Sequence, residues 1–171
     1  FTTYEFEVGR LDNFQYETQP LHNLSKVQQT AFDEIQTTFQ TKDVTLLHGV
    51  TSSGKTEIYI HLIKEAISQG KQVLYLLPEI ALTTQITQRL RSIFGNEMGV
   101  YHSKFSDAER VEVYQRQLSG NPYKLILGVR SSVFLPFMDL GLVIIDEEHE
   151  TSYKQQDPAP RYHARSGAIM L

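Results

Sequence analysis

Apolar residues along this chain follow two alternating patterns. One has the helical period. Val27, Ala31, Ile35 and Phe39 recur at every fourth position, which places them on one helix face. Ser25 and Gln28 stand at capping-box spacing for its start. Ile58, Tyr59, Leu62, Ile63, Ala66 and Ile67 predict a second helix, stopped at Gly70. Residues 82–94 predict a third and 106–118 a fourth, with Ser106 and Glu109 again at capping-box spacing. The other pattern is short, β-branched and apolar on both sides: 44–48, 72–77, 125–129 and 142–145, with a brief strand at Val100 and Tyr101. Such strands, separated by helices, predict a mostly parallel central sheet between two helical layers, a three-layer α/β domain over residues 21–171. Residues 1–20 mix polar and aromatic positions without a period and close at Pro20. They read as a linker or edge segment of a preceding module.

The chain has 171 residues, enough to bury roughly 70% of the unfolded surface without covalent staples. With no cysteine, disulfides, thiolate zinc sites and cysteine nucleophiles are excluded for this stretch. No apolar run approaches the roughly 20 residues a membrane span needs, and no export signal opens the chain. A soluble cytoplasmic domain is expected. The net charge of −4 argues against nucleic-acid binding by bulk electrostatics and leaves local motifs to do it. The chain starts without Met and stops inside an apolar stretch, so a fragment of a larger protein is expected.

Two motifs carry chemistry. The predicted strand 44–48 runs into GVTSSGKT, residues 49–56, and a helix follows at once. This is the phosphate-loop pattern in its strand–loop–helix context. Gly49 and Gly54 let the backbone wrap so that amides around Ser52 and Ser53 point at phosphate oxygens. The helix opening near Lys55 adds its positive dipole end. Lys55 can reach the β- and γ-phosphates of ATP, and the Thr56 hydroxyl can hold Mg²⁺. The second motif is the run from Leu142 to His149, an apolar strand ending in Asp146, Glu147, Glu148 and His149. Ligands of open parallel sheets sit beyond the carboxyl ends of the strands. Asp146 is therefore expected to face Thr56 and hold Mg²⁺ through water, with Glu147 polarising the attacking water. No substrate lid of the kind a kinase needs is visible, which favours an ATP-hydrolysing motor.

The Asp-Glu-Glu-His quartet with GVTSSGKT resembles the DExH branch of superfamily 2 helicases. The blocks GVTSSGKTEIY, LLPEIALTTQ, YHSKFSDAER, LGVRSSVFLPF and VIIDEEHETSYKQQ, followed by RYHAR, are similar to the primosomal replication-restart helicases over residues 21–171. That resemblance implies the first RecA-like lobe of an ATP-dependent 3′→5′ DNA helicase. Its implied partners are single-stranded and forked DNA and, through the larger parent, primosome and replisome proteins, in the cytoplasm around the nucleoid. It also implies that zinc belongs only to parts of the parent beyond this chain. A second lobe would supply an arginine finger, so residues 1–171 alone are expected to hydrolyse almost no ATP. The alternative is a superfamily 2 translocase or remodelling ATPase without strand separation.

The resemblance carries further roles residue by residue. Gln28 matches the glutamine that reads adenine, and is otherwise a polar residue of a helix surface. Pro78, Glu79 and Thr83 match a motif that faces single-stranded DNA. Arg130 and Ser131 match another, although Arg130 could equally serve packing. His149 and residues 151–165 match the loop that couples DNA occupancy to hydrolysis, with Tyr153, Lys154, Arg161 and Tyr162 in it. Its rings either stack on bases, which tolerates any sequence, or pack on the domain. His102 and Ser103 match a block whose role has no physical argument. Ser52 and Ser166 depart from the residues usual at those positions, and neither removes a phosphate, metal or water contact.

Overall fold

The computed structural model describes residues 18–49, 54–79, 81–102, 105–155 and 162–170. Helix α1, Lys26–Thr38, starts where its capping box predicts. The Ser25 hydroxyl accepts from the Gln28 amide, and the Gln28 side chain accepts in return from the Ser25 amide. Of the predicted apolar face only Ile35 is buried; Val27 projects into solvent. Helix α2, Lys55–Ser68, ends before Gly70, whose positive φ closes it. There follow β1 (Gln72–Leu76), α3 (Thr84–Phe94), β2 (Met98–Tyr101), α4 (Asp107–Leu118), β3 (Leu125–Gly128), β4 (Leu140–Ile145) and the short α5 (Ala164–Ala168).

The four strands form one parallel sheet in the order β2-β3-β1-β4, with Val73 opposite Leu125 and Leu142, and Leu76 opposite Gly128 and Ile145. Alternation along β1 divides the core between two faces. Val73, Tyr75 and Leu77 meet Tyr59, Ile60 and Ile63 of α2 and Leu90 and Phe94 of α3. Leu74 and Leu76 meet Val113 of α4 and, from the segments beyond β3, Val133, Leu135, Tyr153 and Ala164. The three-layer α/β architecture is therefore the one the pattern predicts. Gln72, at the start of β1, is buried with its amide satisfied, donating to the Tyr123 carbonyl and accepting from the Met138 and Asp139 amides. It ties together the loops that precede β3 and β4.

One predicted strand does not form. Residues 44–48 take no place in the sheet. Leu47 packs against the core beside Leu142, but Val44 and Leu46 are 58% and 72% exposed. β-branched residues favour an extended chain, yet a strand exists only through pairing, and no described strand lies alongside this run. β4 shows the same effect in milder form. It is the sheet edge on that side, so most of its apolar residues are half-buried rather than enclosed. The predicted linker lies mostly outside the described residues. Where it enters them, the Gln19 amide donates to the Ser92 carbonyl at 2.7 Å.

Candidate functional site

The site assembles at the carboxyl ends of β1, β3 and β4, against the start of α2. Gly54 is the N-cap of α2 with φ 78°. Glycine suits this left-handed backbone, and a Cβ there would displace the end of the Gln28 side chain, whose amide nitrogen would lie 2.4 Å away. A glycine cap brings no side-chain acceptor to the first-turn amides of α2, which leaves a helix start suited to an anion. Lys55 and Thr56 are the first two residues of that helix. The Lys55 ammonium donates to the Gly49 carbonyl at 2.7 Å. Ser52 and Ser53 lie outside the described residues.

Gln28 reaches the loop from α1. Its amide nitrogen donates to the Gly54 carbonyl at 3.1 Å while its amide oxygen caps α1. Both ends of the side chain are thus engaged by protein, at the point where the phosphate loop becomes helix.

Asp146 follows β4 and is held at four points. Its amide donates to the Leu76 carbonyl at 3.0 Å, and its own carbonyl accepts from the Tyr153 hydroxyl at 2.5 Å. One carboxylate oxygen accepts from the Glu147 amide at 3.0 Å, the other from the Tyr75 hydroxyl at 3.0 Å. Burial pushes this carboxyl above the ordinary aspartate range. The Tyr75 and Glu147 hydrogen bonds and the positive charge of Lys55 counter that, while the charge of Glu147 adds to it. The lysine of the loop is thus among the charges that act on the aspartate of the acidic quartet, as the smallest of these influences. Burial and the Asp146 and Glu147 charges raise the Tyr59 and Tyr153 phenols above their usual value, and Tyr75 shifts the same way.

Glu147 has φ 48°, the one non-glycine residue in the left-handed region among the described residues. Such a backbone costs on the order of 1–3 kcal/mol and persists where surrounding structure enforces it. The Glu147 carboxylate lies 3.7 Å from the Nε2 of His149. Glu148 points elsewhere and pairs with Arg165 of α5 at 2.7 Å.

The residues matched to DNA and coupling separate into two groups. Thr83 caps α3 and is exposed, Glu79 is exposed just beyond β1, and Pro78 is buried, its carbonyl turning the chain by accepting from Ala81 and Leu82. Arg130 and Ser131 begin a 3₁₀ turn after β3. The Arg130 guanidinium donates to the carbonyls of Ser152 and Lys154 at 3.2 and 3.4 Å, so it braces the loop after the quartet, the packing role rather than a free cation. Lys154 bridges His163 and the Gln155 amide donates to the Tyr162 carbonyl, drawing the two ends of that loop together. Tyr162 packs edge-on against Phe134, ring centres 4.8 Å apart. Arg161 and Ser103 lie outside the described residues. Tyr153 corrects the expectation of a base-stacking ring. It is 1% exposed in the core beneath the sheet end, with its hydroxyl on Asp146 and Leu76, because a large apolar ring gains more by burial once its one polar atom has a partner. Tyr75 and Tyr59 are not among the expected site residues; Tyr75 stands inside an otherwise aliphatic strand and Tyr59 on the apolar face of α2, where each reads as core.

A family model described as DEAD/DEAH box helicase matches residues 25–167. The chain belongs to the DEAD/DEAH box helicases. Among curated relatives this helicase segment is 44% identical over 160 residues to the replication restart protein PriA of Bacillus subtilis, covering 92% of this chain and 20% of the relative. It is 51% identical over 129 residues to the PriA of Haemophilus influenzae, covering 75% of this chain and 17% of the relative. The segment thus spans about a fifth of the length of the relatives it matches. Among solved structures it resembles an ATP-dependent Type ISP restriction-modification enzyme, LlaBIII, bound to DNA, with a TM-score of 0.54, 19% identity, and coverage of 96% of this chain and 12% of that one. That likeness concerns the fold, which is RecA-like. No helix among the described residues is long and apolar enough to cross a membrane.

Proposed function

We propose that residues 21–171 form the first motor lobe of an ATP-dependent 3′→5′ DNA helicase that acts in replication restart. The observation that carries the reading is the 44% identity to PriA over 92% of this chain, supported by the uncapped glycine start of α2 at the phosphate-loop motif and by the Lys55 charge acting on Asp146 of the acidic quartet. The start of α2 fits a nucleotide's phosphates because glycine leaves its amides without a side-chain cap. The loop from Gly49 through Ser52, Ser53 and Gly54 wraps the phosphates, and Lys55 exchanges the Gly49 carbonyl for phosphate oxygens. Gln28 lies against the same loop and is suited to the adenine edge once its amide turns from Gly54.

Thr56 and Asp146 are the donors for Mg²⁺, with Asp146 acting through water. The ion they would hold would supply positive charge against the negative charge that develops on the phosphates. Glu147 orients the attacking water, its strained backbone fixing where the carboxylate sits. DNA runs over Pro78, Glu79, Thr83 and Ser131 at the strand ends. The loop 151–165, with His149, Lys154, Arg161 and Tyr162, reports its presence to the quartet. Arg130 and Tyr153 hold that loop to the sheet. The partners are single-stranded and forked DNA and the proteins of the primosome, and the setting is the bacterial cytoplasm at the nucleoid.

The test is Lys55→Ala in the full-length protein. ATP-driven unwinding of a forked duplex is expected to fall at least about a hundredfold, while binding to the same fork survives within a fewfold. Unwinding at the wild-type rate would refute the role of the lysine. ATP hydrolysis without strand displacement on any fork would replace the helicase reading with a translocase.

A further inference from the structure

Strand β1 is aliphatic apart from Gln72 at its start and Tyr75 in its interior, and Tyr75 is fully buried. A buried phenol needs a partner for its hydroxyl. The one Tyr75 takes is the Asp146 carboxylate at 3.0 Å. Its ring cannot drift from that partner. Tyr59 packs against it edge-on, centres 5.7 Å apart and planes at 74°, and the rest of that core cluster closes round both. Packing alone does not account for the hydroxyl, because phenylalanine would fill the same volume.

A carboxylate offers roughly four lone-pair positions. At Asp146 the Glu147 amide takes one on the first oxygen and the Tyr75 hydroxyl takes one on the second. With a donor on each oxygen, the carboxylate plane is fixed and cannot rotate about its last bond. Backbone ties from Asp146 to Leu76 and Tyr153 fix the residue beneath it. We propose that Tyr75 is a positioning residue for the divalent-cation site, its hydroxyl holding the Asp146 carboxylate in the orientation that a metal-bound water needs. The proposal rests on the Mg²⁺ role given to Asp146 above. Removing the hydrogen-bonding partner of a direct metal ligand costs about 10- to 100-fold in metal affinity, and Tyr75, which acts through Asp146 and a water, is expected at the lower end of that range.

The experiment compares Tyr75→Phe, Asp146→Asn and wild type in the full-length protein by the binding of a fluorescent ADP analogue, titrated with MgCl₂ and separately in EDTA. Binding in EDTA reports the phosphate loop and the fold, and the gain on adding Mg²⁺ reports the metal site. Tyr75→Phe is expected to bind as wild type in EDTA, within about twofold, and to need about tenfold more Mg²⁺ for the half-maximal gain. Asp146→Asn is expected to lose the gain altogether. If Asp146→Asn loses it and Tyr75→Phe matches wild type, the metal reading stands and Tyr75 is only core. Equal weakening of Tyr75→Phe in EDTA and in Mg²⁺ marks a packing role and overturns the proposal. A full gain in Asp146→Asn removes the metal reading itself, and the role of Tyr75 falls with it.

Discussion

Tyr153 offers a direct test of how the loop after the acidic quartet is attached. Phenylalanine there keeps the ring and removes the hydroxyl. Of the two carbonyls that hydroxyl faces, Leu76 keeps a donor in the Asp146 amide, whereas that of Asp146 loses the bond at 2.5 Å. One buried acceptor left short of a partner costs about 1–2 kcal/mol. Alanine also removes a ring that is 1% exposed, and the cavity raises the total to about 3–5 kcal/mol. The gap between the two variants, about 2–3 kcal/mol, therefore measures the ring and the phenylalanine step measures the bond. Urea unfolding of residues 1–171 followed by circular dichroism reads both.

Turnover by the full-length protein gives a second readout. Tyr153 anchors the backbone of Asp146, so Tyr153→Ala is expected to depress basal and DNA-stimulated ATP hydrolysis together, and Tyr153→Phe to leave both within a fewfold. An alanine variant as stable as wild type, losing only the stimulated component, would show an exposed ring that stacks on DNA and would refute the buried anchor.

Two further outcomes follow from the quartet. Glu147 at φ 48° should tolerate glycine without loss of stability, while Glu147→Val, β-branched in the left-handed region, should be less stable than Glu147→Gly by at least about 1 kcal/mol in urea melts; equal stabilities would mean the turn relaxes. Asp146 is raised by burial, so below the unfolded aspartate pKa of about 3.9 both states are protonated and no penalty arises, whereas above the folded pKa the folded state bears a desolvated charge and loses stability. Asp146→Asn in metal-free protein is therefore expected to be more stable than wild type at pH 7, with the difference shrinking toward zero by about pH 4, and a pH-independent difference between urea midpoints would refute the sign.

What the residues disclose in advance depends on whether the signal is local. The capping boxes at Ser25 and Ser106 and the glycine stop at Gly70 involve neighbours within a turn, and each helix boundary they predict lies within a residue or two of its place. The phosphate loop and the quartet are legible for the same reason, since each is a contiguous motif whose chemistry constrains its own residue types. Pairing is different. Residues 44–48 and 125–129 look alike as β-branched apolar runs, yet only the second finds strands on both sides. Nothing in five consecutive residues says whether a neighbour will be there. The tyrosines fail in the same way. A phenol at 75 or 153 advertises that it needs an acceptor, but the acceptor of Tyr75 lies 71 residues away and is chosen by the order of strands in the sheet. Because β1 and β4 are adjacent and in register, Leu76 beside Ile145, the residue that follows β4 must arrive beside the end of β1. The sheet topology thus converts an unremarkable core tyrosine into a neighbour of the acidic quartet, and it does so without any motif that a reading of the chain could detect.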